Sequence, residues 1–533
     1  MTLGRFLTRL VAALRSGEGG EAVLRPACGP IRREPGGVYK GIPYAAPPVG
    51  ERRFRPPEPL PPWTAPRRCA AFGPASPQEG ADEATDEDCL TLNIWTPAVA
   101  ATDRLPVMVF FHGGAFQSGS GSLRVYDGAS LAERGVVVVT CNYRLGALGF
   151  LAHPALSAES AAGVSGNYGL LDQQAALAWV SRNIAAFGGD PDNVTIFGQS
   201  AGAASVVLHL LRPEARPLFA RAIAQSPVGP GALRPLRQSA PGAVAAEDVG
   251  LAFARRLGIG AALGHEEARR RLRAAPVADI LAASAPDTAL SVEVGGILFG
   301  PVVDGLVVPG RPTDLIARGE LPDKPLLLGT TTDEGSLFLP GLLPPVTTVA
   351  GYRRWVGRRF GSAAPAVLAL APGEGDGLAA DLSRLLTARW FTAFTGFLAR
   401  AMAEAGRPVW LYRFTAPPPG GALGILKDEA GAPEVSDAAA GVPHSADLFP
   451  VFGFTPWYLG FGATGKALSR TLRGYWTGFA TSGDPNGAGL PDWPRFEPKR
   501  PQLLFVGRET TAGPPPGEPL LPLVAASWGE TTY

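Results

Sequence analysis

Charged residues are scarce in this 533-residue chain, because Asp, Glu, Lys and Arg together make up 18% of it and the net charge is +1. A chain with no excess of either sign has no strong field to attract nucleic acid or an anionic membrane surface. Long apolar runs are missing too, since none approaches the roughly 18 residues that cross a bilayer. We therefore expect no nucleic-acid partner and no membrane span.

Cysteine and histidine are also rare, with four cysteines and five histidines in the whole chain. The cysteines, Cys28, Cys69, Cys89 and Cys141, show no CxxC spacing, and no two histidines form an HxH or HExxH pattern. Those spacings are the usual signatures of zinc sites. We therefore expect no metal site.

The N-terminus carries a weak targeting signal. Residues 1–15 place apolar side chains at helical spacing, but Arg9 interrupts them and no small-residue cleavage site follows. An amphipathic helix or frayed leader is favoured over a signal peptide. We expect residues 1–30 to be an N-terminal extension and residues 31–533 a single domain. We expect the cytoplasm as its compartment, with secretion or the periplasm as the alternative.

Strands alternate with helices along the first half of the chain. Residues 106–111 and 135–141 are apolar runs of the kind that form central strands covered on both faces. Residues 172–187 carry one apolar stripe at helical spacing, and residues 193–197 form a further strand. This order predicts an α/β fold with a mainly parallel sheet.

One serine stands in a G-x-S-x-G pattern, because Ser200 has Gly198 two residues before it and Gly202 two residues after it. Between a strand and a helix this pattern is the nucleophile elbow, a strained turn that lifts the serine hydroxyl above the sheet. The following helix begins beside the hydroxyl with the N–H of Ala201. Ser200 is the candidate nucleophile.

A serine nucleophile needs a base, and three histidines follow it in the chain. His209 lies in the apolar helix after the elbow and fits a core position. His265 lies in a charged helix and fits a solvated surface. His444 lies in a loop after a late strand, where the base of this arrangement belongs.

The acid that orients the histidine should follow a strand end between the serine and His444. Asp333 and Glu334 both stand just after the strand at residues 324–329. Their side chains are expected to diverge, so only one faces the imidazole. The residues alone leave this choice open.

A second glycine-rich loop, residues 112–116, ends the strand at residues 106–111 and matches the HGG type that supplies oxyanion-hole amides. We predict that the N–H groups of Gly113 and Gly114, together with that of Ala201, bind the oxyanion. One such donor is typically worth about 3–4 kcal/mol in the transition state.

With these motifs in place, the chain resembles the type-B carboxylesterases and cholinesterase-like proteins, in particular bacterial para-nitrobenzyl-esterase-like members. The resemblance runs from about residue 41 to residue 494 and rests on motifs in one order at residues 41–50, 87–95, 142–146, 166–173, 187–191, 301–305 and 483–486. It implies the α/β-hydrolase fold, with helical and loop excursions from a large central sheet.

The resemblance also implies roles for individual residues. It selects Glu334 over Asp333 as the acid, assigns the base to His444, and makes Ser226 a supporting serine. It implies a disulfide between Cys69 and Cys89, which could contribute about 3 kcal/mol on the chain-entropy model. Two free thiols are the alternative.

Two departures from the family's pattern bear on the substrate. Gln199 stands immediately before the nucleophile, where the family usually has glutamate, so a negative charge is lost. The segment between Cys69 and Cys89 contains no tryptophan, whereas cholinesterases use one there to hold a quaternary ammonium by cation–π attraction. Both departures favour neutral esters over choline esters.

We therefore expect a serine carboxylesterase that hydrolyses small-molecule esters through an acyl-enzyme intermediate and needs no cofactor. Amide or carbamate hydrolysis with the same triad is the alternative within the enzyme class. A non-catalytic binding protein with this fold is the alternative outside it. Phe116, Phe338 and Phe449 are candidate pocket aromatics that fit the core equally well. The oligomeric state, monomer or dimer, is left open.

Overall fold

The computed structural model of the chain describes residues 23–229, 233–239, 244–285, 298–339, 348–416 and 441–528. Its strands are β1 (Val23–Leu24), β2 (Ile31–Arg32), β3 (Val38–Pro43), β4 (Thr91–Trp95), β5 (Leu105–Phe111), β6 (Val137–Cys141), β7 (Gly189–Gln199), β8 (Arg221–Gln225), β9 (Arg234–Pro235), β10 (Val302–Val303), β11 (Leu326–Thr331), β12 (Val409–Phe414), β13 (Leu503–Val506) and β14 (Thr510–Gly513). Ten of these strands form one sheet in the order β14-β13-β12-β11-β8-β7-β5-β6-β4-β3. Two further pairs, β1 with β2 and β9 with β10, form small separate sheets.

The centre of the large sheet is parallel. The seven strands from β6 to β13 in sheet order run in one direction, and antiparallel pairing occurs only where β3, β4 and β14 join at the edges. The mainly parallel sheet expected from the sequence is thereby confirmed. All seven parallel strands end at the same edge, which is where open α/β sheets bind their ligands.

Helices cover both faces of the sheet. They are α1 (Ala129–Ala132), α2 (Gly146–Phe150), α3 (Pro154–Glu159), α4 (Tyr168–Asn183), α5 (Ala201–Leu211), α6 (Ala246–Arg256), α7 (His265–Ala274), α8 (Val277–Ser284), α9 (Pro312–Ala317), α10 (Val349–Phe360), α11 (Ala364–Leu370), α12 (Leu378–Leu386), α13 (Ala393–Glu404), α14 (Leu448–Phe452), α15 (Thr455–Ser482) and α16 (Leu520–Ser527). In the described part of the chain, none of these helices is both long and apolar enough to span a membrane.

The apolar runs of the central strands arise from burial on both faces. On β5, Val107, Val109 and Phe111 join one hydrophobic cluster, and Met108 and Phe110 join another on the opposite face. Successive strand residues point to opposite sides of the sheet, so a doubly covered strand has no polar position to fill. The expected helix at residues 172–187 is present as α4, continued by a 3-10 turn at Ile184–Phe187.

Part of the expected N-terminal extension lies against the domain. β1 pairs with β2, and the backbone N–H of Cys28 donates to the side-chain oxygen of Asn183 on α4, at 2.8 Å. Residues 1–22, which carry the amphipathic pattern, lie outside the described residues. Residues 417–440 also lie outside the described residues.

The disulfide expected between Cys69 and Cys89 is not formed, and all four cysteines are free thiols. The side chain of Ser76 lies beside the thiol of Cys89. Cys69 lies instead beside the charges of Glu34 and Arg67. The prediction of this bridge was wrong because the two thiols face different neighbours.

We expect all four cysteines to titrate as thiols. Ellman's reagent added to denatured, unreduced protein should report four thiols per chain, and prior reduction should not raise that number. The pKa of Cys89 is raised to about 12 by burial, so the native protein should react far more slowly than the denatured protein. A count of two thiols without reduction would instead show that a disulfide is present.

Candidate active site

The turn after β7 holds Ser200 in a strained backbone conformation. Its φ is 57° and its ψ is −121°, values that L-residues rarely adopt. A Cβ on Gly202 would lie 1.9 Å from the carbonyl oxygen of Phe111, and one on Gly198 would lie 2.5 Å from the backbone of Gly202. The two glycines are therefore required by close backbone packing, as the G-x-S-x-G pattern predicts.

Ser200 precedes the first residue of α5, so the hydroxyl stands beside the unpaired N–H groups of a helix start. The backbone N–H of Ser200 donates to the carbonyl oxygen of Gln225 at the end of β8, at 2.9 Å. This bond ties the turn to the neighbouring parallel strand. The hydroxyl itself hydrogen-bonds with no residue that the structure describes, and it is partly exposed.

The imidazole of His444 meets the carboxylate of Glu334. Nδ1 of the ring hydrogen-bonds with Oε2 of Glu334, and both side chains are buried. The other carboxylate oxygen, Oε1, accepts hydrogen bonds from the Ser226 hydroxyl at 2.6 Å and from the Thr331 backbone N–H at 2.7 Å. Glu334 is therefore the acidic side chain in contact with His444.

Asp333 points elsewhere. Its carboxylate accepts a hydrogen bond from the Ser383 hydroxyl, and its backbone N–H donates to the carbonyl of Val442 at 2.9 Å. The divergence of Asp333 and Glu334 that the sequence predicts is present. The backbone of Asp333 does help to hold the loop that carries His444, because it pairs with Pro443 in an isolated bridge.

Glu334 is ionised in spite of its burial. Burial opposes ionisation, but electrostatic attraction to the His444 ring and hydrogen bonds from His444, Ser226 and Thr331 outweigh it and lower the pKa of Glu334. An ionised carboxylate can only accept hydrogen bonds. His444 must therefore carry a proton on Nδ1, so that Nε2 has a lone pair whenever the ring is neutral.

Two phenyl rings hold the imidazole from the sides. The centroid of the Phe391 ring lies 4.7 Å from that of His444, and the centroid of Phe338 lies 5.2 Å away. Phe391 is part of a single π-helical turn, Thr387–Thr392, between α12 and α13. Such turns often occur at functional sites, since they displace one side chain relative to a regular helix.

The side chain of Gln199 contacts the other ring nitrogen. Its Nε2 lies 3.0 Å from Nε2 of His444, and both side chains are buried. Because Gln199 directly precedes Ser200, this contact places the imidazole at the elbow. The structure thus brings Ser200, His444, Glu334, Gln199 and Ser226 together as the sequence predicts.

The loop after β5 approaches the elbow closely, since a Cβ on Gly113 would lie 3.3 Å from Cβ of Ser200. The carbonyl oxygen of Gly113 accepts from Nδ1 of His112 at 2.8 Å. The hydroxyl of Tyr126 lies near the backbone N–H of Gly113.

Gly114 and Ala115 follow with left-handed backbone, at φ values of 107° and 54°. Among the described residues, neither of their N–H groups has an acceptor, and the same holds for the N–H of Ala201. Ala115, Ser200 and Ala201 line one pocket together. The sequence analysis missed Ala115, because the HGG pattern marks the loop but not the direction of each amide.

A small apolar cavity of about 70 Å³ opens beside Ser200. Apart from Ala115, Ser200 and Ala201, its walls in the described part of the chain are almost entirely aliphatic and aromatic: Phe116, Ala204, Val207, Leu208, Val228, Gly229, Leu233, Pro301, Pro312, Phe338 and Phe394. Phe116 and Phe338 are thus pocket residues as proposed. Phe449 packs instead against the core on the other face of the sheet.

The other two candidate histidines lie away from the site. His209 is buried on α5, where its Nε2 hydrogen-bonds with Oε1 of Gln173 at 3.0 Å. Burial lowers the pKa of His209 to about 3, so the ring is neutral. His265 is the first residue of the charged helix α7. Both positions agree with the structural interpretation that the sequence favours.

A second buried carboxylate stands behind the site and was not found from the sequence. Asp447 accepts hydrogen bonds from the Tyr412 hydroxyl at 2.5 Å and from Nε2 of Gln225 at 3.1 Å, both on Oδ2. Its Oδ1 is buried without a partner among the described residues. Burial and the negative charge of Glu334 raise the pKa of Asp447. The sequence signal that could have identified Asp447 is its position three residues after His444.

Comparison with known proteins identifies the family. The sequence profile of the carboxylesterase family matches residues 31–361 and 368–516. The chain is 39% identical over 484 residues to fumonisin B1 esterase of Sphingopyxis macrogoltabida, covering 89% of this chain and 84% of that protein. It is 36% identical over 494 residues to para-nitrobenzyl esterase of Bacillus subtilis, covering 89% and 91%.

The chain belongs to the carboxylesterase family. Among solved structures, a carboxylesterase of Geobacillus stearothermophilus is 35% identical and superposes with a TM-score of 0.77, covering 95% of this chain and 99% of that one. The type-B carboxylesterase resemblance and the α/β-hydrolase fold are thereby confirmed. The protein is a carboxylic ester hydrolase that acts on small-molecule esters.

Asp447 gives this carboxylesterase a measurable pH dependence of stability. An unfolded aspartate ionises near pH 4, whereas the pKa of native Asp447 is raised. The native state therefore binds more protons above pH 4, and wild-type protein loses stability as the pH rises through the native pKa. The variant D447N has no charge to bury.

We expect the melting temperature of D447N minus that of wild type to be more positive at pH 8 than at pH 5. Differential scanning calorimetry at both pH values measures this difference. The conservative control Y412F keeps the carboxylate and removes one donor, so its deficit should instead grow toward pH 8. Equal effects of D447N at both pH values would contradict the burial of an ionisable group.

Proposed function

We propose that Ser200, His444 and Glu334 are the catalytic triad of a serine carboxylesterase that acts on neutral carboxylic esters. The observation that carries this proposal is the imidazole of His444, which is bound at Nδ1 by a buried carboxylate and lies at the strained turn of Ser200. This arrangement holds the ring in the tautomer that can accept a proton on Nε2.

In the proposed reaction, Oγ of Ser200 bonds to the ester carbonyl carbon while its proton passes to Nε2 of His444. The tetrahedral intermediate then expels the alkoxide, which takes the proton from Nε2 and leaves as an alcohol. Water attacks the acyl-enzyme in the same way, with His444 again as base, and releases the acid. Glu334 stabilises the imidazolium throughout and keeps its own charge.

The negative oxygen of each intermediate needs donors. We assign this role to the N–H groups of Gly114, Ala115 and Ala201, which have no acceptor among the described residues. Ala115 and Ala201 also line the pocket together with Ser200. Ala115 takes the place of Gly113 in this assignment, because the Tyr126 hydroxyl lies near the N–H of Gly113. Such preorganised donors typically supply about 3–4 kcal/mol each.

The preference for neutral substrates rests on the charge of the site. Position 199 carries an amide in place of a carboxylate, and the cavity beside Ser200 is lined by apolar side chains. In the described part of the chain, that lining contains no carboxylate to offset the lost hydration of a cation. The relatives named as esterases of fumonisin B1 and of para-nitrobenzyl compounds support ester substrates for this chain.

The neighbouring acids Asp333 and Glu334 provide a matched test of the triad. In E334Q the amide nitrogen faces Nδ1 of His444 and forces the proton onto Nε2, so the ring can no longer accept from Ser200. We expect kcat on p-nitrophenyl acetate to fall by about 10³–10⁴-fold. In D333N, where the side chain faces Ser383, we expect kcat within about threefold of wild type.

Labelling with a fluorophosphonate followed by peptide mass spectrometry identifies the nucleophile. Ser200 should carry the label in wild type and D333N, and S200A should take none. Equal activity of E334Q and D333N, or label on another serine, would refute the triad.

The charge preference has its own matched pair of substrates. Acetylcholine and 3,3-dimethylbutyl acetate have the same shape and differ only in the charge of one atom. We expect kcat/KM to be at least about tenfold higher for the neutral ester, because the cation must lose its hydration without the tryptophan that cholinesterases supply and without a carboxylate at position 199. A p-nitrophenyl ester series from acetate to octanoate, run in parallel, measures the acyl length that the cavity accepts. Equal rates on the two isosteres would contradict the preference.

A further inference from the structure

Nε2 of His444 has two candidate partners in the free enzyme. Because Glu334 is ionised and accepts from Nδ1, the neutral ring offers only a lone pair at Nε2. The side-chain amide nitrogen of Gln199 lies 3.0 Å from that atom and must be the donor. The Ser200 hydroxyl, which needs the same lone pair for catalysis, hydrogen-bonds with no residue that the structure describes.

The arrangement confines both groups. Phe338 and Phe391 flank the imidazole, with centroids 5.2 and 4.7 Å from that of the ring, and Glu334 holds it from behind. The oxygen of the Gln199 amide is confined on its other side, since a Cβ on Gly113 would approach it to 3.1 Å. An exchange of partners at Nε2 is therefore a local movement of Gln199 and Ser200, with the ring stationary.

We propose that Gln199 is a positioning residue that holds the base of the resting enzyme by donating to Nε2 of His444, and that it must release this nitrogen to Ser200 before acylation. The inference rests on the proposed triad. It assigns to the amide at position 199 a role that a carboxylate cannot perform, because a carboxylate has no hydrogen to donate to a lone pair.

The charges around His444 come from several elements. Glu334, at the start of the turn after β11, contacts the ring directly. Asp447, just before α14, acts on it through space, and Arg413 on β12 acts through Glu334. Substitution of Gln199 by a neutral residue leaves all three in place. Any change in the titration of His444 in such a variant therefore comes from the loss of the Gln199 amide alone.

The test is Gln199→Met, a side chain of similar size that cannot donate. Removal of a donor from the neutral ring frees Nε2 for Ser200, so we expect fluorophosphonate labelling at pH 9 to become about two- to tenfold faster than in wild type. The same loss destabilises the neutral ring relative to the imidazolium. We therefore expect the midpoint of the acid limb of the labelling rate to rise by about half a pH unit.

The sign of that midpoint shift decides which amide atom faces the ring. Were the oxygen of Gln199 to accept from a protonated Nε2, the Gln199→Met midpoint would fall. The low-field proton resonance of Nδ1, followed by NMR in wild type and in Gln199→Met, gives the same midpoint without any turnover. Gln199→Glu is the second variant, and its midpoint should rise by more than one unit, because the carboxylate accepts from the imidazolium.

The chain supplies a matched control in Gln173, a buried amide that also hydrogen-bonds with a histidine, His209, away from the nucleophile. Gln173→Met should leave labelling within about twofold of wild type. Slower or unchanged labelling of Gln199→Met, or an upward midpoint shift in Gln199→Glu alone, would overturn the proposal. Those results leave the triad standing, whereas the absence of any label on wild-type Ser200 would refute the proposed function itself.

Discussion

The site depends on keeping a carboxylate charged where water does not reach. Glu334 has no solvent exposure, and an unpaired charge in such a position costs several kcal/mol. Three donors offset this cost, and each is supplied by a different part of the sheet's carboxyl edge. Thr331 ends β11, Ser226 follows β8, and His444 belongs to the loop after β12. Any slip of register among these strands would remove a donor and leave the charge buried.

The register of the strands is accordingly strict around this carboxylate. Gln225 of β8 pairs with Gly329 of β11, and the next residue, Ser226, donates its backbone N–H to the Gly329 carbonyl oxygen at 2.8 Å. Ser226 adopts a φ of 51°, a left-handed conformation that turns its hydroxyl toward Glu334. Backbone strain at Ser226 thus has the same effect as strain at Ser200, because it directs one hydroxyl.

Sequence reasoning succeeded where the constraint is local. Gly198 and Gly202 are required because backbone atoms lie where their side chains would be, and five consecutive residues are enough to predict this requirement. Local sequence could not decide between Asp333 and Glu334 as the acid, because the choice depends on whether Ser383 or His444 lies opposite each side chain. Those partners are 50 and 110 residues away in the chain.

The expected bridge between Cys69 and Cys89 was wrong. The resemblance to the family implied it, but a disulfide needs Cβ atoms within about 4.5 Å of each other, and Ser76 lies beside the thiol of Cys89. The HGG pattern likewise marks the loop that approaches the elbow without fixing the direction of each amide, which depends on neighbours such as Tyr126 on a later segment. No local pattern in the sequence identifies either neighbour.

In the proposed mechanism, the charge balance of the site makes an amide at position 199 compatible with hydrolysis. That mechanism needs one negative charge, that of Glu334, to stabilise the imidazolium that forms during proton transfer. An ionised Asp447 would add a second negative charge near Glu334, but burial raises the pKa of Asp447 and so opposes that charge. Its hydrogen bond from the Tyr412 hydroxyl does not depend on ionisation. A carboxylate at position 199 would add a charge directly at Nε2 and favour the imidazolium before substrate arrives. In the proposed arrangement the amide instead donates to the lone pair of the neutral ring, and the site lacks the carboxylate at position 199 that would attract a cationic alcohol.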